Sequence, residues 1–225
     1  MERKKRFWMF IAIRTAANSL IILGIIFVFV SFWPFVSAEL KYWWNQNRGV
    51  EYVIEDEAEA AEAPKTDSKP KIKIKPKDKN FGIIIESINV NAPIVPGVDS
   101  GNYREYITAL QKGVAHAKGT AVPGSTTAAN NNVFLFAHSA INPIEARKYN
   151  SVFYLLRKVK KGDRVVTFYK GKRYDYQVFD KKVVEATDVQ YLTNKSKEPI
   201  LTLQTCDPPG SSLRRLIITA KLIED

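Results

Sequence analysis

The feature that most constrains this chain is an uncharged stretch of 22 residues, 15–36, that is rich in Ile, Leu, Val and Phe. A helix of that length rises about 33 Å at ~1.5 Å per residue, which matches the thickness of a bilayer's hydrocarbon core. We therefore predict a basic segment over residues 1–14, followed by a transmembrane helix over residues 15–38.

The charges on either side of this helix predict its orientation. Five basic residues and one acid precede it, whereas the chain turns acidic within about twenty residues after it. The positive-inside rule places the N-terminus in the cytoplasm and the remainder outside, in a single-pass protein of the cell membrane. A cleaved signal peptide is the alternative, since Val36-Ser37-Ala38 resembles a cleavage site, but its apolar region is usually only about 7–15 residues.

Residues 39–79 are predicted to form a juxtamembrane segment and a charged, flexible linker. Six acids and no basic residue lie in 51–62, and seven Lys against two Asp lie in 65–79. Such a composition buries too little apolar surface to form a core. The formal net charge of +11 favours attraction to an anionic envelope polymer or lipid surface, and we expect no nucleic-acid partner for an exported chain.

Residues 80–225 are long enough for one domain. Their apolar runs are short and β-rich, and turn residues such as Lys170-Gly171-Lys172 separate them. A helical pattern is confined to two short pieces, residues 103–111 and 151–158. The pattern predicts a mostly β fold, a barrel or sandwich of largely antiparallel strands with small connecting helices.

Two residues with nucleophilic or acid–base chemistry lie at predicted strand ends. Cys206 follows the apolar run 200–205, and His138 follows the run 133–137. A single Cys excludes an internal disulfide and a zinc site of several thiolates, and an unpaired Cys is more often a small buried hydrophobe. A thiol and an imidazole at neighbouring strand ends, however, are what cysteine catalysis needs, because imidazole can protonate a leaving amine.

The third candidate is a cation at the start of the last apolar run. Arg214 and Arg215 precede that run, and a hairpin return would bring one of them back beside Cys206. Adjacent residues of a strand point to opposite faces, so at most one guanidinium faces the thiol. A guanidinium there could donate hydrogen bonds to the oxygen that becomes negative in acyl transfer.

These residues resemble the sortase family of cysteine transpeptidases. The most specific element is Thr202-Leu203-Gln204-Thr205-Cys206, similar to the family's T-L-x-T-C strand end, with an Arg-led apolar strand after it. A second element runs from Gly113-Val114-Ala115-His116 through the Gly-Thr-Ala-Val-Pro-Gly of residues 119–124 to Ala137-His138. The resemblance covers about residues 81–223 and implies a closed, mixed β-barrel with short connecting helices, behind an anchor and a linker.

The resemblance implies the roles of the candidate residues. Cys206 would be the nucleophile, His138 the general acid and base, and Arg215 the oxyanion stabiliser. Family members commonly run directly from the arginine into the apolar strand, which favours Arg215, while Arg214 remains an alternative. Arg214, His116 and Thr205 are assigned to substrate binding, with a structural role also open for His116.

The sequence departs from the family pattern at two points. Ala137 stands where the family commonly has Gly before the histidine, and the short loop from Cys206 to Arg215 carries two prolines, which leaves substrate preference open. No acidic cluster matches the calcium site known in some members. We therefore expect no metal and no cofactor.

The resemblance also implies an activity and its partners. The enzyme would cleave an LPxTG-like C-terminal sorting signal of exported proteins through a Cys thioester. It would then pass the acyl group to an amine of a cell-wall precursor or pilin subunit. Two other interpretations stay open: a non-catalytic membrane-anchored β-domain that binds envelope components, and a cysteine peptidase that uses water as the acceptor.

Overall fold

The computed structural model describes residues 2–54, 71–125, 130–139 and 151–223. The chain divides into two compact units, Met1–Leu40 and Lys41–Asp225. Helix α1 spans Glu2–Asn47, and its portion Glu2–Trp33 is long and apolar enough to cross a membrane. The helix begins before and ends after the predicted span of 15–38, because the Arg, Lys, Glu and Leu residues on both sides are themselves good helix formers.

Two short strands lie where the sequence predicts only a flexible linker. Strands β1 (Glu51–Ile54) and β2 (Lys71–Ile74) pair in parallel, and the buried Ile54 and Ile74 join one apolar cluster with barrel residues. The structure therefore differs from a wholly flexible linker at these two strands. Alternation explains the difference, since an extended Lys-Ile-Lys-Ile segment can bury one Ile while Lys73 stays in water. The middle of the predicted linker, 55–70, lies outside the described residues.

The second unit is built on a closed barrel, which confirms the predicted mostly β fold. Eight strands close it in the order β10-β8-β7-β3-β4-β5-β6-β9. The pairs β4/β5 and β6/β9 are parallel, and the other neighbours are antiparallel. The strands are β3 (Phe81–Ile85), β4 (Val90–Val98), β5 (Val114–Ala117), β6 (Asn132–Phe136), β7 (Arg164–Tyr169), β8 (Lys172–Glu185), β9 (Ile200–Asp207) and β10 (Arg214–Leu222).

Short helical pieces connect the strands, near the two predicted places. Helix α2 (Tyr103–Lys112) follows β4, and the side chain of Asn102 caps it by accepting a hydrogen bond from the Glu105 N–H at 3.3 Å. A 3-10 turn at Tyr154–Lys158 occupies the second place, and a one-turn helix α3 (Gln190–Thr193) follows β8. Helix α2 buries Ala109 and Leu110, which fixes its position beside the barrel.

Alternation along β9 separates an inner face from an outer one. Leu201 and Leu203 are fully buried, whereas Gln204 and Cys206 are partly exposed. Each buried Leu stabilises the fold by about 1.5–3 kcal/mol relative to an exposed one. The inner face therefore holds β9 in the barrel wall while the outer face remains available for chemistry.

Candidate active site

The three predicted catalytic residues come together around the end of β9. This strand lies between β6, which is parallel to it, and β10, which is antiparallel. The register pairs Phe136 with Gln204 on one side and Arg215 with Cys206 on the other. Two residues beyond Phe136, His138 reaches the level of Cys206. Because directly paired residues point to the same face of a sheet, the thiol of Cys206 and the guanidinium of Arg215 share the outer face, and His138 lies at the adjacent end of β6.

Two hydrogen bonds hold the chain before His138 against β9. The Ala137 N–H donates to the Gln204 carbonyl oxygen at 3.2 Å, and the Thr205 hydroxyl donates to the Ala137 carbonyl oxygen at 2.8 Å. These bonds continue the parallel register past the end of β6. They fix the backbone of His138 relative to that of Cys206.

Cys206 is partly exposed and is not sealed in the core. A cysteine needs solvent and substrate access to act as a nucleophile, and buried structural cysteines are inert. Its position at the end of β9, beside the turn that follows Asp207, provides that access. The geometry is compatible with the predicted nucleophilic role.

The imidazole of His138 is buried, with 7% of the residue exposed. Burial lowers the pKa of His138 below its ordinary value of 6.5, because the charged ring loses hydration. The neutral ring therefore predominates near neutral pH. Such a ring can take the proton of a thiol and return it to a leaving amine.

Arg215 is better placed than Arg214 to donate hydrogen bonds to a substrate oxygen beside Cys206. Within the described part of the chain, the Arg215 Nη1 group donates to the carbonyl oxygens of Ser212 at 2.9 Å and of Arg214 at 3.1 Å, so its Nη2 and Nε groups remain for a substrate oxygen. Arg214 is exposed, and in the register of the two strands it lies opposite Asp207 and not opposite Cys206. Alternation directs the Arg214 side chain away from the thiol.

Tyr106 also belongs to the site, although the sequence analysis does not single it out. Its ring stacks on Phe136 at 5.5 Å between centroids and meets the His138 ring edge-on at 6.0 Å and 86°. Burial, reinforced by the nearby Cys206, raises the pKa of Tyr106, while Arg215 opposes the increase. Tyr106 is therefore a neutral aromatic wall for the imidazole. It stands on α2, and no local motif marks it, because tertiary packing alone brings it to the strand ends.

A pocket of about 440 Å³ opens beside these groups. Its floor is aromatic, and a second wall comes from the connection between β8 and α3. The residues that line it are Ser100, Gly101, Tyr103, Tyr106, Phe134, Phe136, Ala186, Asp188, Val189, Leu192, Gln204 and Arg215. A volume of this size suits a few residues of an extended peptide.

His116 and Thr205 are not among the residues that line this pocket, and their substrate-binding role stays a prediction. His116 is buried in β5, where Nδ1 accepts from the Gly97 N–H at 3.3 Å and Nε2 donates to the Ala121 carbonyl oxygen at 2.8 Å. Thr205 is buried on the inner face of β9, with its hydroxyl on Ala137. Both side chains are used within the protein, so they stabilise the strands that carry the site.

Among the described residues, no group of three or more His, Cys, Asp or Glu side chains is arranged to hold a metal ion.

Known proteins share this architecture. A family model described as the Sortase domain matches residues 83–223. Sortase A of Listeria monocytogenes is 26% identical over 140 residues, which cover 62% of this chain and 54% of the relative. Sortase D of Bacillus subtilis is 27% identical over 161 residues, covering 69% and 71%. The crystal structure of sortase C-1 from Actinomyces oris is 29% identical, covers 66% and 77%, and has a TM-score of 0.53.

Proposed function

The chain belongs to the sortase family, and on that premise we propose that it is a membrane-anchored cysteine transpeptidase. The observation that carries the proposal is the register of β9, which sets Cys206 between His138 and Arg215 beside an aromatic pocket. Family membership supports transpeptidase chemistry in general. The roles of the individual residues and the choice of substrate are our inference.

In the first half-reaction, His138 takes the proton of the Cys206 thiol and the sulfur attacks the scissile carbonyl carbon. The new C–S bond pushes the carbonyl electrons onto oxygen, where Arg215 donates hydrogen bonds to the oxyanion. Collapse of the tetrahedral intermediate breaks the C–N bond. His138 returns its proton to the leaving amine, and a thioester on Cys206 remains.

In the second half-reaction, an acceptor amine attacks the thioester. His138 takes a proton from the attacking nitrogen, and Arg215 stabilises the second oxyanion. Collapse breaks the C–S bond and forms the new amide, and the proton held by His138 returns to the departing sulfur to restore the Cys206 thiol. The same three groups serve both halves because each half passes through a tetrahedral oxyanion.

The proposed acyl donor is an LPxTG-like sorting signal near the C-terminus of another exported protein. The pocket beside Arg215 would hold the residues before the scissile bond, and its aromatic floor suits their apolar side chains. The proposed acceptor is an amine of a cell-wall precursor or of a pilin subunit. No metal or cofactor takes part in the steps proposed here.

The proposed location is the cell membrane, with the N-terminus in the cytoplasm and the barrel outside. The apolar helix α1 and the basic residues at its start support this orientation. An anchored enzyme shares a surface with membrane-bound donors and acceptors. The raised effective concentration would let a site of modest affinity work efficiently.

The test is a peptide assay with the full chain in detergent micelles and a labelled LPxTG-like peptide, with and without added triglycine as the amine. Amide product that carries triglycine supports transpeptidation, and Cys206→Ala is the inactive control. Cleavage that is insensitive to triglycine indicates a cysteine peptidase. Absence of cleavage across a library of sorting-signal peptides, by a folded protein with an intact thiol, favours a non-catalytic envelope-binding domain.

A further inference from the structure

Directly after Cys206 on β9 stands a buried carboxylate that the proposed chemistry does not use. Asp207 is 5% exposed, and its Oδ1 lies 3.2 Å from the Nη2 atom of Arg157. A buried charge is costly unless it is paired, so this ion pair is needed where it stands. Arg157 belongs to the 3-10 turn Tyr154–Lys158, which is far from β9 along the chain.

The same turn also holds the backbone of the catalytic histidine. The Phe153 N–H donates to the His138 carbonyl oxygen at 3.1 Å. Residues 153–159, which we name the brace, thus bond at one end to the residue that carries the imidazole. Through Arg157 they also bond to Asp207, the residue next to the nucleophile.

The brace is firmly anchored in the protein. Phe153, Leu156 and Val159 are fully buried, so the turn has little freedom to shift. The Lys181 ammonium group on β8 donates to the carbonyl oxygens of Arg157 and Val159. Lys181 also feels the charges of both Arg157 and Asp207, and its pKa is lowered mainly by burial. The brace therefore links β8, β9 and the segment that follows β6.

From these contacts we propose that the brace is a positioning element that sets the distance between Cys206 and His138, with the Arg157–Asp207 ion pair as the joint that ties it to β9. The proposal rests on the proposed transpeptidase function. Neither Arg157 nor Asp207 touches the substrate, because Asp207 lies on the face of β9 opposite to the thiol. They act by holding in place the end of β9, which carries Cys206, and the segment after β6, which carries His138.

Two features of the joint give it a recognisable signature. Removing either charge of the ion pair loosens the end of β9, so both single substitutions should lower kcat. The charge left behind differs, however, because Arg157→Gln leaves a carboxylate near the thiol and Asp207→Asn leaves a guanidinium. A negative charge disfavours ionisation of a nearby thiol and a positive charge favours it.

The experiment uses the full chain in detergent micelles with Arg157→Gln, Asp207→Asn, the double variant and Arg157→Lys. We expect each neutralised variant to lose about 10–100-fold in kcat with KM within about 2-fold, as for a small misplacement of reacting groups. Arg157→Lys should recover part of the loss. Iodoacetamide alkylation of Cys206, the single cysteine, should slow in Arg157→Gln and accelerate in Asp207→Asn, each by roughly 3–10-fold.

The matched control is another ion pair on the same barrel. Lys221 Nζ lies 2.9 Å from Glu198 Oε2 in an exposed pair, and Lys221→Gln should stay within about 2-fold of the parent kcat. Thermal unfolding shows whether each variant is folded, and the nearly isosteric Asp207→Asn carries the test should Arg157→Gln not fold.

Parental kcat in folded Asp207→Asn would overturn the proposal. So would alkylation rates that move in the same direction in both single variants. Failure of the proposed function looks different, because the parent itself would then form no triglycine amide, or Cys206→Ala would keep full activity. The alkylation rates of Cys206 need no turnover, so they still test the brace in that case.

Discussion

The two faces of strand β9 differ in what their side chains do for the protein. On the inner face, Leu203 and Thr205 are buried, and they pack and bond within the barrel. On the outer face, Gln204 and Cys206 are partly exposed beside the pocket and its cation. Residues adjacent in sequence therefore serve different ends. Substitutions of Leu203 and Thr205 should therefore cost stability, and those of Cys206 and of its cation Arg215 should cost activity.

The largest effect is expected from Cys206→Ala on the outer face. Loss of the sulfur removes the covalent route, so transpeptidation should fall by about 10⁴-fold or more. The thermal unfolding midpoint should stay close to that of the parent, because a partly exposed thiol contributes little packing. Product formation followed by chromatography, together with a thermal melt, checks both parts, and substantial residual activity would assign the nucleophile elsewhere.

The second effect compares the two arginines at the start of β10. Arg215→Ala should lower kcat by about 10²–10³-fold, since it removes the proposed oxyanion donor. Arg214→Ala should change kcat by only a few-fold, because its side chain lies exposed on the other face. Steady-state kinetics of the two variants side by side decide the matter. The reverse order of losses would move the catalytic role to Arg214.

The third effect lies on the inner face. Leu203→Ala should lower the free energy of unfolding by about 3 kcal/mol, because it leaves a cavity at a fully buried position. At a temperature where the variant is folded, kcat should stay within a few-fold of the parent. Urea unfolding and kinetics on one preparation test this contrast, and a kcat loss as large as that of Arg215→Ala would contradict it.

A smaller effect is expected at Thr205. Thr205→Val keeps the shape of the side chain but leaves the Ala137 carbonyl oxygen without its hydroxyl donor. The expected cost is about 1 kcal/mol in the free energy of unfolding. Thr205→Ser retains the hydroxyl and serves as the control. Equal stability of the Val variant and the parent would mean that the hydrogen bond is not needed.

The smallest effect is expected at His116, the buried histidine of β5. Burial lowers the pKa of His116 below its ordinary value of 6.5, although the bond to Ala121 opposes this. Between that lowered pKa and 6.5 the unfolded chain binds more protons than the folded one, so stability falls as the pH drops below about 6.5. His116→Gln should reduce this acid-dependent loss, measured as urea midpoints between about pH 7.5 and 5. An unchanged slope would exclude His116 as a source.

The sequence predicts the strands well, because short β-rich runs bounded by turn residues are typical of strands. The choice of a closed barrel over a sandwich comes from the family resemblance. The sequence predicts less well the two short strands β1 and β2. The Lys and Glu residues around Ile54 and Ile74 dominate the composition there, and they conceal two residues that the barrel buries. Such a segment forms a strand only where the barrel offers a complementary apolar surface, and the local sequence does not reveal that surface.

The site shows the same division between local and tertiary information. Cys206 and His138 stand at strand ends that periodicity reveals, so their approach could be predicted. Alternation also places Thr205 on the face of β9 opposite Cys206. Tyr106 and Arg157 could not be predicted, because a helix and a turn distant in sequence reach the strand ends only through packing.

The most direct test of the account is the intact mass of the full chain after mixing with an LPxTG-like peptide and no added amine. We predict one acyl group per chain, located on Cys206 by digestion, reduced in amount by Arg215→Ala and absent from Cys206→Ala. Adding triglycine should discharge it and yield the new amide. An acyl group on another residue, or peptide cleavage that persists in Cys206→Ala, would contradict a mechanism centred on this thiol.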